Sequence, residues 1–347
     1  MRDTPQRVTI PDAPSCPRCR IALTRVAVLG RQGDAAGLET FATVVRDGRG
    51  RYFAGPNDVD GRINVYDASG RFLRTLGRPG AGPGEFQRIS SLAVSPGDSL
   101  FVFDVGNVRL TAFTPELRLA RTVTVPGEVH HALPRPDGGV IVQTHLATHD
   151  LAGFTVHRID PAGRFLRSFG EVRGGYRPGD WTIGLRPLAP GAGGTLWLAY
   201  GTRYEIEQWS LDGGLRRTLS REARWFQPWS GTDTRDPRTQ RPPPAISSIH
   251  QDAAGRLWVS LRVADARWRP VPRPSRGEGG LIGPTEADRL FDSLIEVIDP
   301  AIGRVVARAR NPGAPVSFLG GDLAYRRIAH PDGTLGAEIL RVRLVQP

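Results

Sequence analysis

The sequence predicts an all-β fold, a six-bladed β-propeller of four-stranded antiparallel blades, on three observations. The first is an internal repeat. Asp67-Ala-Ser-Gly70-Arg71-Phe72-Leu73-Arg74-Thr75-Leu76-Gly77 returns 93 residues later as Asp160-Pro-Ala-Gly163-Arg164-Phe165-Leu166-Arg167-Ser168-Phe169-Gly170. Two units of about 46 residues fit that distance, and a propeller blade has that length. The second is period-two alternation of apolar residues punctuated by Gly, Asp and Pro every ~8–12 residues, which marks antiparallel strands joined by hairpins. The third is an unfinished last unit, matched by an orphan strand near the N-terminus.

Taken in order, the units open at Gly50-Arg-Tyr-Phe-Ala, Asp98-Ser-Leu-Phe-Val-Phe, Gly139-Val-Ile-Val, Gly194-Thr-Leu-Trp-Leu, Gly255-Arg-Leu-Trp-Val and, loosely, Gly321-Asp-Leu-Ala-Tyr. Weaker copies of the repeat run from Leu211 to Leu219 and from Asp299 to Arg308. After Gly321 only two strands remain, near 323–329 and 335–345. Ile21 to Gly30 ends in Leu29-Gly30-Arg31-Gln-Gly33, as Leu76-Gly77-Arg78-Pro-Gly80 does, so it reads as an outer fourth strand that closes the ring on the C-terminal blade. Such closure removes free sheet edges. Residues 1–19 are then an extension and 20–347 one domain, with insertions at about 220–244 and 263–291 and a short helix from Thr285 to Phe291.

Composition agrees. With 39% hydrophobic and 23% charged residues over 347, the composition is that of a globular chain and argues against intrinsic disorder; the 42 Gly and 30 Pro supply turns. All 46 basic residues are arginine against 35 acidic ones, a net charge of +11. That field would suit nucleic acid, anionic lipid or an acidic polymer. The arginines are dispersed without a run of five, however, which ranks nucleic acid and anionic polymers third among partners. No run of 18 apolar residues spans a membrane, and Met1-Arg2-Asp3-Thr4 opens no signal peptide.

Cys16 and Cys19 are the only cysteines. Their spacing admits a local disulfide, idle thiols or a redox pair, and a disulfide is the favoured reading. The flanking prolines and the strand that follows lack the helix N-terminus that redox thiols need, and Arg20 stands where haem attachment requires His. A close cysteine pair also favours an extracytoplasmic location, periplasmic or secreted.

The segment Gly80-Ala-Gly-Pro-Gly84-Glu85-Phe86, followed by Leu92-Ala93-Val94, Leu100-Phe-Val-Phe-Asp104 and Asn107-Val-Arg109-Leu-Thr-Ala-Phe113, resembles an NHL-type repeat of the TolB-like propeller superfamily. The resemblance implies a six-bladed propeller. It transfers no activity, because the family holds binding modules, lyases and lactonase-like enzymes alike.

In a propeller both insertions fall on one face, which makes that face the candidate site. Trp229 and Trp268 are the candidate anchors, and Arg235, Arg269 and Arg273 the candidate anion partners, since flat aromatic area and forked donors dominate binding hot spots. His131, His145, His149 and Asp150 fall in one unit and could hold a divalent metal, although their loop spacing is poor for one. Asn57-Asp58-Val-Asp60-Gly61 reads as a turn, lacking a downstream bidentate Glu. Neither Gly-x-Ser-x-Gly nor a phosphate-binding loop is present. The expected function is therefore a non-catalytic propeller, monomeric and without a cofactor, binding a peptide, protein or anionic glycan. A lactonase-like hydrolase or lyase with a channel metal is the alternative.

Overall fold

The structure, a computed structural model, describes residues 4–34, 38, 43–55, 61–146, 151–172, 182, 185–221, 223–230, 236–270, 282 and 284–347. Two strands, β1 (Gln6–Ile10) and β2 (Arg20–Leu29), lead the chain. Three blades follow: β3 (Thr43–Arg46) to β6 (Phe72–Leu76) with β4 (Tyr52–Gly55) and β5 (Ile63–Tyr66); β7 (Ile89–Val94), β8 (Leu100–Asp104), β9 (Arg109–Phe113) and β10 (Leu119–Thr124); β11 (His131–Pro134), β12 (Val140–Gln143), β13 (Phe154–Ile159) and β14 (Phe165–Glu171). The fourth contains β15 (Leu188–Gly191), β16 (Thr195–Ala199), β17 (Glu205–Ser210) and β18 (Leu215–Arg221). The fifth contains β19 (Ala245–Gln251), β20 (Leu257–Ala264), β21 (Phe291–Asp299) and β22 (Arg304–Pro312), with helix α1 (Pro284–Leu290) before β21. The last is β23 (Ser317–Gly320), β24 (Leu323–Ala329) and β25 (Leu335–Val345), with β2 completing it in the order β2-β25-β24-β23.

The chain groups into two compact units. One comprises Met1–Arg25, Gly179–Ala329 and Ile339–Pro347; the other Val26–Pro178 and His330–Glu338. In the second unit, Phe53, Val65, Phe86, Leu92 and Val102 pack between the first two blades, and Phe101, Leu110, Val129, Val140 and Val142 between the second and third. In the first, Trp197, Ile206, Phe226, Leu261 and Leu294 fill the space between blades four and five, and Trp258, Ile295, Val316 and Leu340 that between five and six. Facing sheets with alternating apolar side chains give this pattern.

The repeated residues are turn fasteners. Asp67 accepts hydrogen bonds from the Ser69 and Arg71 amides at 2.9 and 3.0 Å, and pairs with Arg71 Nε at 3.1 Å. Asp160 holds Ala162 and Arg164 the same way, as Asp252 holds Ala254 and Arg256. Glycine ends each such turn at positive φ, for example Gly70 at 83°. The second glycine of the motif serves packing: at Gly77, also left-handed at φ 80°, a Cβ would lie 2.6 Å from the Phe86 ring. Gly30 repeats this against Leu38, with a Cβ-to-Cγ distance of 3.2 Å.

The N-terminal segment departs from the expectation of a bare extension. β1 pairs in parallel with β18, from Gln6 opposite Arg217 to Ile10 opposite Arg221, adding a fifth strand to the fourth blade. Ile10, only 1% exposed, anchors it among the residues packed between blades four and five.

Candidate ligand-binding site

The site lies in the unit built from blades four to six. The first insertion connects β18 to β19 and the second connects β20 to β21, and the two are clamped together. Arg238 forks onto Glu286 of α1, with Nε and NH2 donating to its carboxylate at 2.5 and 2.8 Å. Trp268 Nε1 donates to the Pro237 carbonyl at 3.0 Å, and Trp229 Nε1 to the Pro244 carbonyl at 2.7 Å. Trp225, Phe226 and Tyr204 meet edge to face with centroids 5.5 to 6.3 Å apart, fixing the root of the first insertion.

Beside this clamp is a cavity of about 650 Å³, a size suited to a small-molecule ligand. Trp225, Pro242, Pro243, Pro244, Val263 and Leu294 give it an apolar wall; Arg241, Arg308 and Arg310 give it three guanidinium groups; Gln227 adds an amide. Among the described residues that line it there is no carboxylate, histidine, serine or cysteine.

A network of charges sets the arginines in place. Glu296, fully buried on β21, accepts hydrogen bonds from Tyr204 Oη at 2.5 Å, from Arg308 Nε at 2.5 Å and from Arg221 NH1. Asp12, beyond β1, accepts from Arg308 NH2 at 2.6 Å, from Trp225 Nε1 at 3.1 Å and from Arg221 NH2. The Arg221 and Arg308 guanidiniums each stand 5.5 Å from the Trp225 ring. Two carboxylates thus neutralise two guanidiniums, and the desolvation each suffers is offset only while all four remain. Burial works against the Asp12 charge, but the bonds from Trp225, Arg308 and Arg221 outweigh it and hold the carboxyl at about 2. Burial likewise opposes the Arg221 charge, and the Glu296 carboxylate reverses that and pushes its pKa up. Tyr204 is driven well above its ordinary value by burial and by the same carboxylate, so it stays a donor.

Arg310 is fixed separately, Nε on Asp292 at 2.6 Å and NH2 on the Ala264 carbonyl at 2.6 Å. Arg308 and Arg310 alternate on β22 and so share one sheet face. Each uses Nε and NH2 on the protein, and neither NH1 makes a hydrogen bond among the described residues. Arg241 is exposed and makes no ion pair among the described residues.

Of the residues singled out from sequence, Trp229 and Trp268 are half-buried and tie the insertions together, outside the cavity lining. Arg269 is exposed, its NH1 on the Trp268 carbonyl at 2.9 Å. Arg235 and Arg273 lie outside the described residues, as do His149 and Asp150. His131 and His145 are half-buried in blade three; burial lowers the pKa of both, that of His131 to about 4. Among the described residues no group of three or more His, Cys, Asp or Glu could hold a metal ion. The Cys16 and Cys19 sulfurs are 2.04 Å apart, joined as a disulfide. No helix among the described residues is long and apolar enough to cross a membrane.

Sequence reasoning passed over Arg308, Arg310, Arg221 and Asp12. The legible signal was Glu296 inside the apolar run Phe291-Asp-Ser-Leu-Ile-Glu-Val-Ile, because a carboxylate at a core position requires a buried cation.

Residues 45–161 match a family described as "6-bladed beta-propeller". No curated protein matches the chain. Among solved structures it is similar to a "Putative exported protein" from Bacteroides fragilis, at 11% identity and TM-score 0.59 over 98% of this chain and 100% of that one. A member of the DUF4221 family from Bacteroides vulgatus matches at 9% identity and TM-score 0.63, over 94% and 99%. The PQQ-bound aldose sugar dehydrogenase from Streptomyces coelicolor matches at 15% identity and TM-score 0.52, over 95% and 100%. At these identities the likeness is one of fold, which with the six sheets is the all-β, six-bladed β-propeller that the sequence predicts.

Proposed function

We propose that the protein is a binding module that holds an amphipathic anion, such as the carboxylate terminus of an apolar peptide, in the cavity beside the two insertions. One observation carries the reading: three guanidiniums and an apolar wall share the cavity. The pairing of Arg308 and Arg310 with buried carboxylates supports it, since pre-fixed donors lose little entropy on binding. A peptide fits this wall better than a glycan, because proline, valine and leucine offer few hydrogen bonds to hydroxyls. We assign the repeats to the NHL type on Gly80 to Phe113, and an extracytoplasmic location on the cysteine pair and the exported neighbour.

The reading is tested by titrating the cavity with C-terminal dipeptide carboxylates while following tryptophan fluorescence, in wild type and in Arg241→Met. Arg241 holds no other side chain in place, so the variant should keep its melting temperature. A hydrogen bond to a charged group contributes about 1.5–3 kcal/mol, so affinity should fall roughly tenfold or more. Unchanged affinity would remove Arg241 from the site.

A further inference from the structure

The fifth blade has a second polar surface on the face opposite Arg308 and Arg310. Strand register sets Arg262 beside Ser293 and Ser293 beside Asn311, so these side chains form one row across β20, β21 and β22. Ser260 stands two residues from Arg262 on the same face. That face also carries Trp258, Ile295 and Val297, which pack on Val316 and Ala324. The row thus runs inward from the half-buried Arg262 and Asn311 to Ser260 at 0% and Ser293 at 1% exposure.

One polar atom of each of its four residues has no partner among the described residues. Arg262 Nε, Ser260 Oγ, Ser293 Oγ and Asn311 Nδ2 are all out of solvent and without a hydrogen bond. The guanidinium stands 4.8 Å from the Phe291 ring, and burial lowers its pKa. Asp292, one residue from Ser293 on β21, holds Arg310 on the other face. Native interiors do not leave a lone cation and a row of hydrogen-bonding groups uncompensated.

We propose that Arg262, Ser293 and Asn311, with Ser260, form a buried site for a halide-sized monoanion, chloride being its ordinary occupant. Every group in the row can donate and one is cationic, so a single negative charge completes it. Directly opposed residues in a sheet are about 5 Å apart, which converges the donors on a compact ion and leaves no room for an apolar acid. The site is thus independent of the cavity, whose arginines face the other way.

The test is thermal unfolding of the full chain in sodium chloride and in sodium gluconate, at equal ionic strength and pH. A ligand held only by the folded state raises the midpoint with its concentration. The melting temperature should be several degrees higher in chloride and should climb with chloride concentration. Arg262→Met should abolish the difference, whereas Arg310→Met should retain it. Bromide-soaked wild-type crystals should show an anomalous peak between Arg262 and Ser293, and this measurement decides if Arg262→Met does not fold. Equal melting in both salts, a chloride response that survives Arg262→Met, or no bromide peak would each overturn the proposal.

Discussion

Arginine does most of the polar work in this chain, and it does so locally. Arg51, Arg71, Arg164 and Arg256 each pair with the aspartate four residues earlier, at 2.7, 3.1, 2.7 and 2.8 Å. The repeat in the sequence is therefore a record of turn chemistry. Histidine is the residue that responds to pH. His157 is fully buried, with Nδ1 2.8 Å from Ser168 Oγ, and burial depresses its pKa to about 4. A folded state that resists protonation loses stability once the unfolded chain can accept the proton. The loss should begin as pH falls below the ordinary value of 6.5 and be complete near 4. For His157 the effect is on the order of 3 kcal/mol. Urea unfolding at pH 7 and pH 4.5 checks this: wild type should lose more stability than His157→Gln, and equal losses would show that the imidazole is not the group responsible.

At the scale of elements, hairpins were legible because their signals are short-range. Alternation, Asp-x-x-Gly turns and insertion boundaries need only adjacent residues: β18 ends at Arg221 and β19 starts at Ala245, close to the expected 220–244, and α1 lies one residue from its expected place. What depends on distant partners was illegible. β1 is a short strand that has its meaning only beside β18, and the place of Arg308 depends on Asp12 and Glu296, 296 and 12 residues away in the chain. Likewise the tryptophans of the insertions advertised large area but not its use; two of them spend their N–H groups on insertion carbonyls. The Cys16–Cys19 link closes too short a loop to restrain much chain entropy. Reduction should lower the melting temperature by a degree or two at most, and mass spectrometry before reduction should find no free thiol. Two free thiols after oxidising purification would contradict the pairing.

For the molecule as a whole, the placement of β2 on β25 carries the fold's closure. The order β2-β25-β24-β23 lends the last blade a strand from the start of the chain, and leaves β25 paired on both sides. Removing residues 1–30 should expose β25 as a long edge and, with Ile10 and Asp12 also gone, leave Arg221 and Arg308 short of a carboxylate. Size-exclusion chromatography should then show aggregates, and a monomer with wild-type melting would refute the closure. The functional account rests on the cavity of three arginines and an apolar wall. Its most direct test is calorimetric titration of the wild-type protein with an apolar dipeptide, acetylated at its N-terminus, as the free carboxylate and as the C-terminal amide. The carboxylate should bind and the amide should bind at least tenfold more weakly, with the difference shrinking as salt rises. Equal affinity for the two, or no heat from either, would contradict an anion-holding site.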